Sequence, residues 1–172
     1  MCEISYIKIN TLCGELYITI AQDKKLIFPL RISFNEPINY ILPKNINLSS
    51  FIQENSITLL YIEKLLNDSL TGEENNFNPE KLLLFYNLTP FQSEVYKQLI
   101  KIPRGQTISY QQLAVLSGNY KASRVVGNIM KNNPFLILIP CHRVIKSDGT
   151  VGGFSGNTPL KISLLESESI FF

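Results

Sequence analysis

At 172 residues the chain can hold one ordinary domain or two small ones around a buried core. Hydrophobic residues make up 45% and charged residues only 17%, against about 25% in an average globular chain, so disorder is excluded as the organising state. The net charge of +2 points to no partner by itself, and any nucleic-acid surface has to come from local clustering of basic residues. Cys2, Cys13 and Cys141 form an odd, widely spaced set with no Cys-x-x-Cys pair. Reduced thiols in a cytoplasmic setting are the simplest expectation. With His142 as the sole histidine, no metal site is expected. The opening "MCEISYIKINTLCGELYITI" alternates polar and apolar residues and lacks the unbroken apolar core of a signal peptide. No apolar run is long enough to span a bilayer.

Leu16, Ile18 and Ile20 alternate with Tyr17, Thr19 and Ala21, which predicts a strand. "AQDKK" turns the chain, and "LIFPLRI" returns as a second strand with Pro29 near its end or on an edge. In "SITLLYIEKLLNDSL", Ile57, Leu60, Tyr61 and Leu65 fall on one stripe of a helix. "TGEENNFNPE" (71–80) is the best linker, so a boundary is drawn between 1–80 and 81–172. "KLLLFY" is expected to add a strand.

From Thr89 the punctuation sharpens. Thr89-Pro90-Phe91-Gln92 offers an N-cap, a proline at the first helical position and a Gln at N3. Ser109-Tyr110-Gln111-Gln112 repeats the capping-box pattern, and that helix stops near Gly118. In "KASRVVGNIMKNN", Ala122, Val125, Val126, Ile129 and Met130 form the apolar face. Lys121, Arg124, Asn128 and Lys131 form the opposite stripe. The pair is a helix-turn-helix candidate, or else an ordinary helical hairpin whose basic stripe is simply solvated.

Asn133-Pro134 ends that helix, because the residue before proline is pushed out of the α region. The apolar run "FLILI" (135–139) predicts a buried strand delivering Pro140-Cys141-His142-Arg143 at its end. "VGGFSGN" (151–157) is either a loop that brings backbone N–H groups close to a ligand or a plain flexible turn. Thr158-Pro159 starts the last helix. Counting about 100° per residue from Leu160, Leu164 lies near 40°, Glu168 near 80°, Leu165 near 140° and Phe171 near 20°. Glu168 thus lies inside the apolar arc and needs a partner, unless the last turn frays and keeps it wet. If Glu168 orients His142 and His142 draws the proton from Cys141, an activated thiolate results. The other reading of Cys141 is a small buried hydrophobe.

"TPFQSEVYKQLIKIPRGQTISYQQLA", "SRVVGNIMKNNP", "IPCHRVIKSDGTVGGFSGN" and "KISLLESE" resemble the successive signatures of the O6-alkylguanine-DNA alkyltransferases, also called methylated-DNA–protein-cysteine methyltransferases. The likeness runs from about Thr89 to Glu168. It implies an α+β architecture, with a small N-terminal ribonuclease H-like α/β domain and a mostly helical C-terminal domain carrying a helix-turn-helix. It implies a monomer that repairs DNA by direct reversal. O6-alkylguanine, and O4-alkylthymine as well, would pass an alkyl group irreversibly to Cys141, once per molecule and without a cofactor.

By the same resemblance His142 is the base acting through a water, with Glu168 behind it. Asn133 braces the turn that carries the thiol, and Tyr110 donates a proton to N3 of the guanine. Ser155 and Gly156 lie near O6, and the carbonyls of Cys141 and Val144 accept from the exocyclic amine. Arg124, flanked by Ser123 and Lys121, belongs to the helix placed in the minor groove of double-stranded DNA and fills the gap left by the rotated nucleotide. The sequence departs from the family pattern at Tyr96, Tyr120, Val125, Ile129 and Phe154. Two readings compete with the repair enzyme: a non-catalytic module that binds damaged DNA, and a Cys–His–Glu hydrolase that turns over.

Overall fold

The alternation at Leu16, Ile18 and Ile20 becomes the middle strand of an antiparallel meander. The computed structural model describes residues 3–11, 14–23, 26–35, 59–73, 78–83, 86–154 and 158–172. These fall into two compact units, residues 1–87 and 88–172. Helices and small sheets together make the chain a mixed α/β protein.

In the first unit β1 (Glu3–Thr11) pairs with β2 (Gly14–Asp23), and β2 pairs with β3 (Leu26–Ser33), both antiparallel. β1 carries Ile7 and Ile9 at strand spacing and is a strand beyond those expected from the sequence. Pro29 sits on β3, an outer strand among the described residues, opposite Ile20 where the register shifts, a place that tolerates its missing N–H. Leu16 and Ile18 on β2, and Leu30 and Ile32 on β3, are fully buried. Each such side chain contributes about 1.5–3 kcal/mol of transfer free energy.

Helix α1 (Leu59–Thr71) forms where the apolar period predicted a helix, but with a different inner face. Ile62, Leu65, Leu66 and Leu70 are buried, whereas Leu60 is 78% exposed and Tyr61 40%. Ile57 lies outside the described residues. "KLLLFY" is not a strand in its described part. Asn78 accepts the Glu80 N–H at 2.9 Å, Pro79 follows, and a single helical turn α2 (Glu80–Leu83) results. Leu82 and Leu83 are both buried, although neighbours on a strand would leave opposite faces.

The second unit opens with α3 (Pro90–Ile100), whose capping box is complete: Gln92 N–H donates to Thr89 Oγ1, and Thr89 N–H to Gln92 Oε1 at 2.9 Å. Strand β4 (Ile108–Ser109) runs into α4 (Tyr110–Leu116), capped the same way by Ser109 and Gln112. Gly118 ends α4 at φ 87°, with Gly118 N–H on Val115 O and Asn119 N–H on Ala114 O, a Schellman closure. Helix α5 (Ser123–Lys131) follows. Ala122, Val126, Ile129 and Met130 are buried as predicted, but Val125 is 49% exposed because it lies just past the edge of that arc.

Strand β5 (Val144–Ile145) pairs in parallel with β4, so the start of α4 is held beside the segment that follows Cys141. Helix α6 (Thr158–Ser167) then ends in a second Schellman closure, with Ser169 N–H on Glu166 O and Ile170 N–H on Leu165 O. Ser169 takes the left-handed position at φ 63°. The chain reverses there, which leaves Phe171 76% exposed, off the apolar arc that an unbroken helix would have given it. Among the described residues no helix is long and apolar enough to cross a membrane.

Candidate active site around Cys141

The five apolar residues 135–139 are all buried, but they do not form a strand. Leu138 N–H donates to Leu136 O at 2.9 Å across Ile137, whose φ is 74°. This is the strained form of the γ-turn, and a β-branched residue rarely adopts it. A second, relaxed γ-turn follows: Cys141 N–H reaches Ile139 O at 2.8 Å across Pro140, at φ −80° and ψ 58°. The run is buried by side-chain packing around two tight turns, so apolar content alone could not reveal its backbone.

Asn133 closes this turn. Its Nδ2 donates to Ile139 O at 2.8 Å and to Cys141 Sγ at 3.0 Å, while its Oδ1 accepts the Phe135 N–H at 3.1 Å. Cys141 opens a short 3-10 turn, Cys141–Arg143, and is 2% exposed. Burial pushes its thiol up to about 11, against the downward pull of the Asn133 hydrogen bond and the Lys161 charge. Burial thus favours the neutral thiol, and the proton has to be drawn off before the sulfur can attack.

His142 turns its Nε2 to Glu168 Oε1 at 3.0 Å. Glu168 is the C-cap of α6, one residue past the helix, and is 6% exposed. Arg143 donates to both Glu168 oxygens through Nε at 3.2 and 3.0 Å, and to Oε1 through Nη2 at 2.9 Å. The Gly105 N–H adds a bond to Oε2 at 3.2 Å. Burial raises the carboxyl's pKa, but the hydrogen bonds and charges of His142 and Arg143 prevail and hold it at about 2. An ionised carboxylate only accepts, so Nε2 carries the proton and Nδ1 keeps its lone pair. Burial lowers the imidazole's pKa, against the upward pull of Glu168. Nδ1 is buried and has no hydrogen-bond partner among the described residues.

Tyr110, first residue of α4, donates its hydroxyl to Gly153 O at 3.2 Å. The glycine loop thus offers a carbonyl to the site. At Gly152, φ 71°, an added Cβ would stand 3.2 Å from the Tyr110 ring. Val144 is fully buried in β5, and its carbonyl accepts from Lys161 Nζ. Ser155 and Gly156 lie outside the described residues. Lys121 and Arg124 are exposed at and before the first turn of α5, and Ser123 beside them is half-buried. Arg143 and Lys161 are members of this cluster that are not expected from the sequence. Lys161 left a signal, since it shares the stripe of Leu164, Leu165 and Glu168 at spacings of three, four and seven. Chemically, a neutral imidazole backed by a fixed anion, near a thiol held by an amide, suits one proton removal coupled to one nucleophilic attack.

Residues 90–170 match the family model described as 6-O-methylguanine DNA methyltransferase, DNA binding domain. The methylated-DNA–protein-cysteine methyltransferase of Mus musculus is 51% identical over 82 residues, which are 46% of this chain and 39% of that protein. The chain thus spans well under half the length of that relative. The protein of the same name from Thermococcus barophilus is 29% identical over 175 residues, 97% of each chain. The crystal structure of Mycobacterium tuberculosis OGT in complex with DNA superposes with a TM-score of 0.65 at 28% identity, covering 95% of this chain and 92% of that one. These matches run through the Asn133–Cys141–His142–Glu168 cluster, so it is to the O6-alkylguanine-DNA alkyltransferases that this chain is similar.

Proposed function

We propose that this chain repairs O6-alkylguanine in double-stranded DNA by moving the alkyl group to Cys141, once per molecule. The observation that carries the proposal is the joint placement of the Asn133 amide on Sγ and the buried His142–Glu168 pair. Residues 88–172 are the unit that performs the transfer. The N-terminal unit is read as ribonuclease H-like, a reading supported by its antiparallel meander followed by α1. The protein acts as a cytoplasmic monomer.

His142 Nδ1 draws the Cys141 proton through a bridging water, and Glu168 and Arg143 keep the imidazole in the required tautomer. Sγ attacks the alkyl carbon, an S–C bond forms and the C–O6 bond breaks. The electron pair passes into the purine, which takes a proton at N3 from Tyr110 and leaves as neutral guanine in the DNA. The carbonyls of Cys141 and Val144 accept from the exocyclic amine, and by the family resemblance Ser155 and Gly156 are the residues assigned to O6. The product thioether has no good leaving group, so the thiol is not regenerated, and no cofactor enters the balance.

A thiol this deep cannot reach a stacked base, so the damaged nucleotide has to rotate out of the duplex. Arg124, with Ser123 and Lys121 beside it, enters the minor groove on α5 and occupies the vacated space. The minor groove presents a degenerate pattern, which suits repair indifferent to sequence.

Intact-mass spectrometry after mixing with a duplex containing O6-methylguanine tests the proposal. One added methyl on Cys141, absent from Cys141→Ala, is the expected result. Binding without a mass change would replace the enzyme with a damage-recognition module. Repeated turnover on a thioester, with the mass unchanged, would indicate a hydrolase.

A further inference from the structure

Lys161 is 0% exposed in the middle of α6, and a fully buried lysine requires compensation for its lost hydration. Among the described residues no carboxylate pairs with it. Its ammonium donates to Val144 O and, at 3.4 Å, to Gly153 O, and it lies 5.8 Å from the centre of the Tyr110 ring. Val144 follows the Cys141 turn directly, and Gly153 O is also the acceptor for the Tyr110 hydroxyl. One side chain therefore joins three elements of the site: the strand after the nucleophile, the glycine loop, and the N-terminus of α4.

We propose that Lys161 is a positioning residue of the alkyl-transfer site, whose buried ammonium holds the Val144 and Gly153 carbonyls together and balances the negative charge that leaves Cys141 and arrives at Tyr110. This rests on the transfer reading above. In that reaction the sulfur gives up an electron pair to the alkyl carbon, and the phenol that loses its proton to N3 becomes the new anion. A cation beside both places lowers the energy of the charge throughout its passage without moving.

Burial brings the Lys161 pKa down to about 8, and the Cys141 charge opposes that fall, so the ammonium persists at neutral pH. The charged and titratable groups around the thiol are Tyr96 of α3, Tyr110 of α4, His142 and Arg143 of the turn, and Lys161 and Glu168 of the last helical segment. The carboxylate of Glu168 is already matched by Arg143 and His142. Lys161 is left as the cation whose charge favours the thiolate.

The test compares the wild-type chain with Lys161→Met and Lys161→Arg in two assays across pH: methyl uptake from an O6-methylguanine duplex, and Cys141 alkylation by iodoacetamide. Lys161→Met should slow methyl uptake at pH 7 by about tenfold or more. Its iodoacetamide midpoint should rise by about one unit, the shift that corresponds to tenfold less thiolate at fixed pH. Lys161→Arg should keep the wild-type midpoint.

A Met variant that is slower with an unmoved midpoint would reduce Lys161 to packing and overturn the proposal, as would wild-type rates. Should Lys161→Met fail to fold by circular dichroism, Lys161→Arg decides: a raised midpoint despite the retained charge would overturn it. If the wild-type chain takes up no methyl while the Met variant still shifts the iodoacetamide midpoint, the transfer reading fails and the role of Lys161 toward the thiol stands.

Discussion

Glu168 accepts from an imidazole, a guanidinium and a backbone amide at once, and that crowding fixes both its charge and its effect on stability. Its carboxyl titrates near 2 in the folded chain against an ordinary 4.5. The unfolded chain therefore binds more protons between these values, and stability falls with pH across that window. The contribution is fully present above about pH 4.5 and is lost as pH falls through about 2, on the order of 3 kcal/mol in all. Urea midpoints measured from pH 6 to pH 2 should show this slope in the wild-type chain and a shallower one in Glu168→Gln. The Gln variant should also start lower, because Arg143 and His142 lose their anion in a buried setting. Equal acid slopes in the two proteins would remove Glu168 as the source.

Helix ends carry more of the site than helix bodies do. Tyr110 lies inside a capping box, Glu168 is itself a C-cap, and Ser169 holds the left-handed position that closes α6. Glycine takes such a conformation without the Cβ penalty, so Ser169→Gly should stabilise the chain by about 0.5–1 kcal/mol. The Tm by circular dichroism checks it, and an unchanged or lower Tm would contradict the strain argument. The same elements show what the sequence could disclose. Both capping boxes and the stop at Gly118 were legible, because each is a local rule carried by a few adjacent residues. The backbone of residues 135–139 was not legible, since continuous burial fits a strand, a helix or a pair of γ-turns equally well. The phase of α1 was also missed. Leu60 and Tyr61 read as core by type, but tertiary packing chose the face of Ile62, Leu65 and Leu66. Lys161 escaped because a lysine is read as solvated until its surroundings are seen.

The whole molecule divides so that every described group of the candidate site lies within residues 88–172. This unit has its own buried set, including Val95 and Leu99 from α3, Leu113 from α4, Val126 from α5, Phe135, and Leu165 from α6. A domain of this size folds alone when such a set is continuous, although its margin is small. The family model covers residues 90–170, nearly the same span. Residues 88–172 expressed alone should therefore give a cooperative thermal transition and take up one methyl from an O6-methylguanine duplex. The Tm should be lower than that of the full chain. Loss of the transition would show that the two units share one folding reaction. A folded fragment with no methyl uptake would move part of the chemistry into residues 1–87, against the placement of Cys141, His142, Glu168 and Tyr110 in one unit. Circular dichroism and intact mass on the same preparation separate these outcomes, because folding is read before any substrate is added.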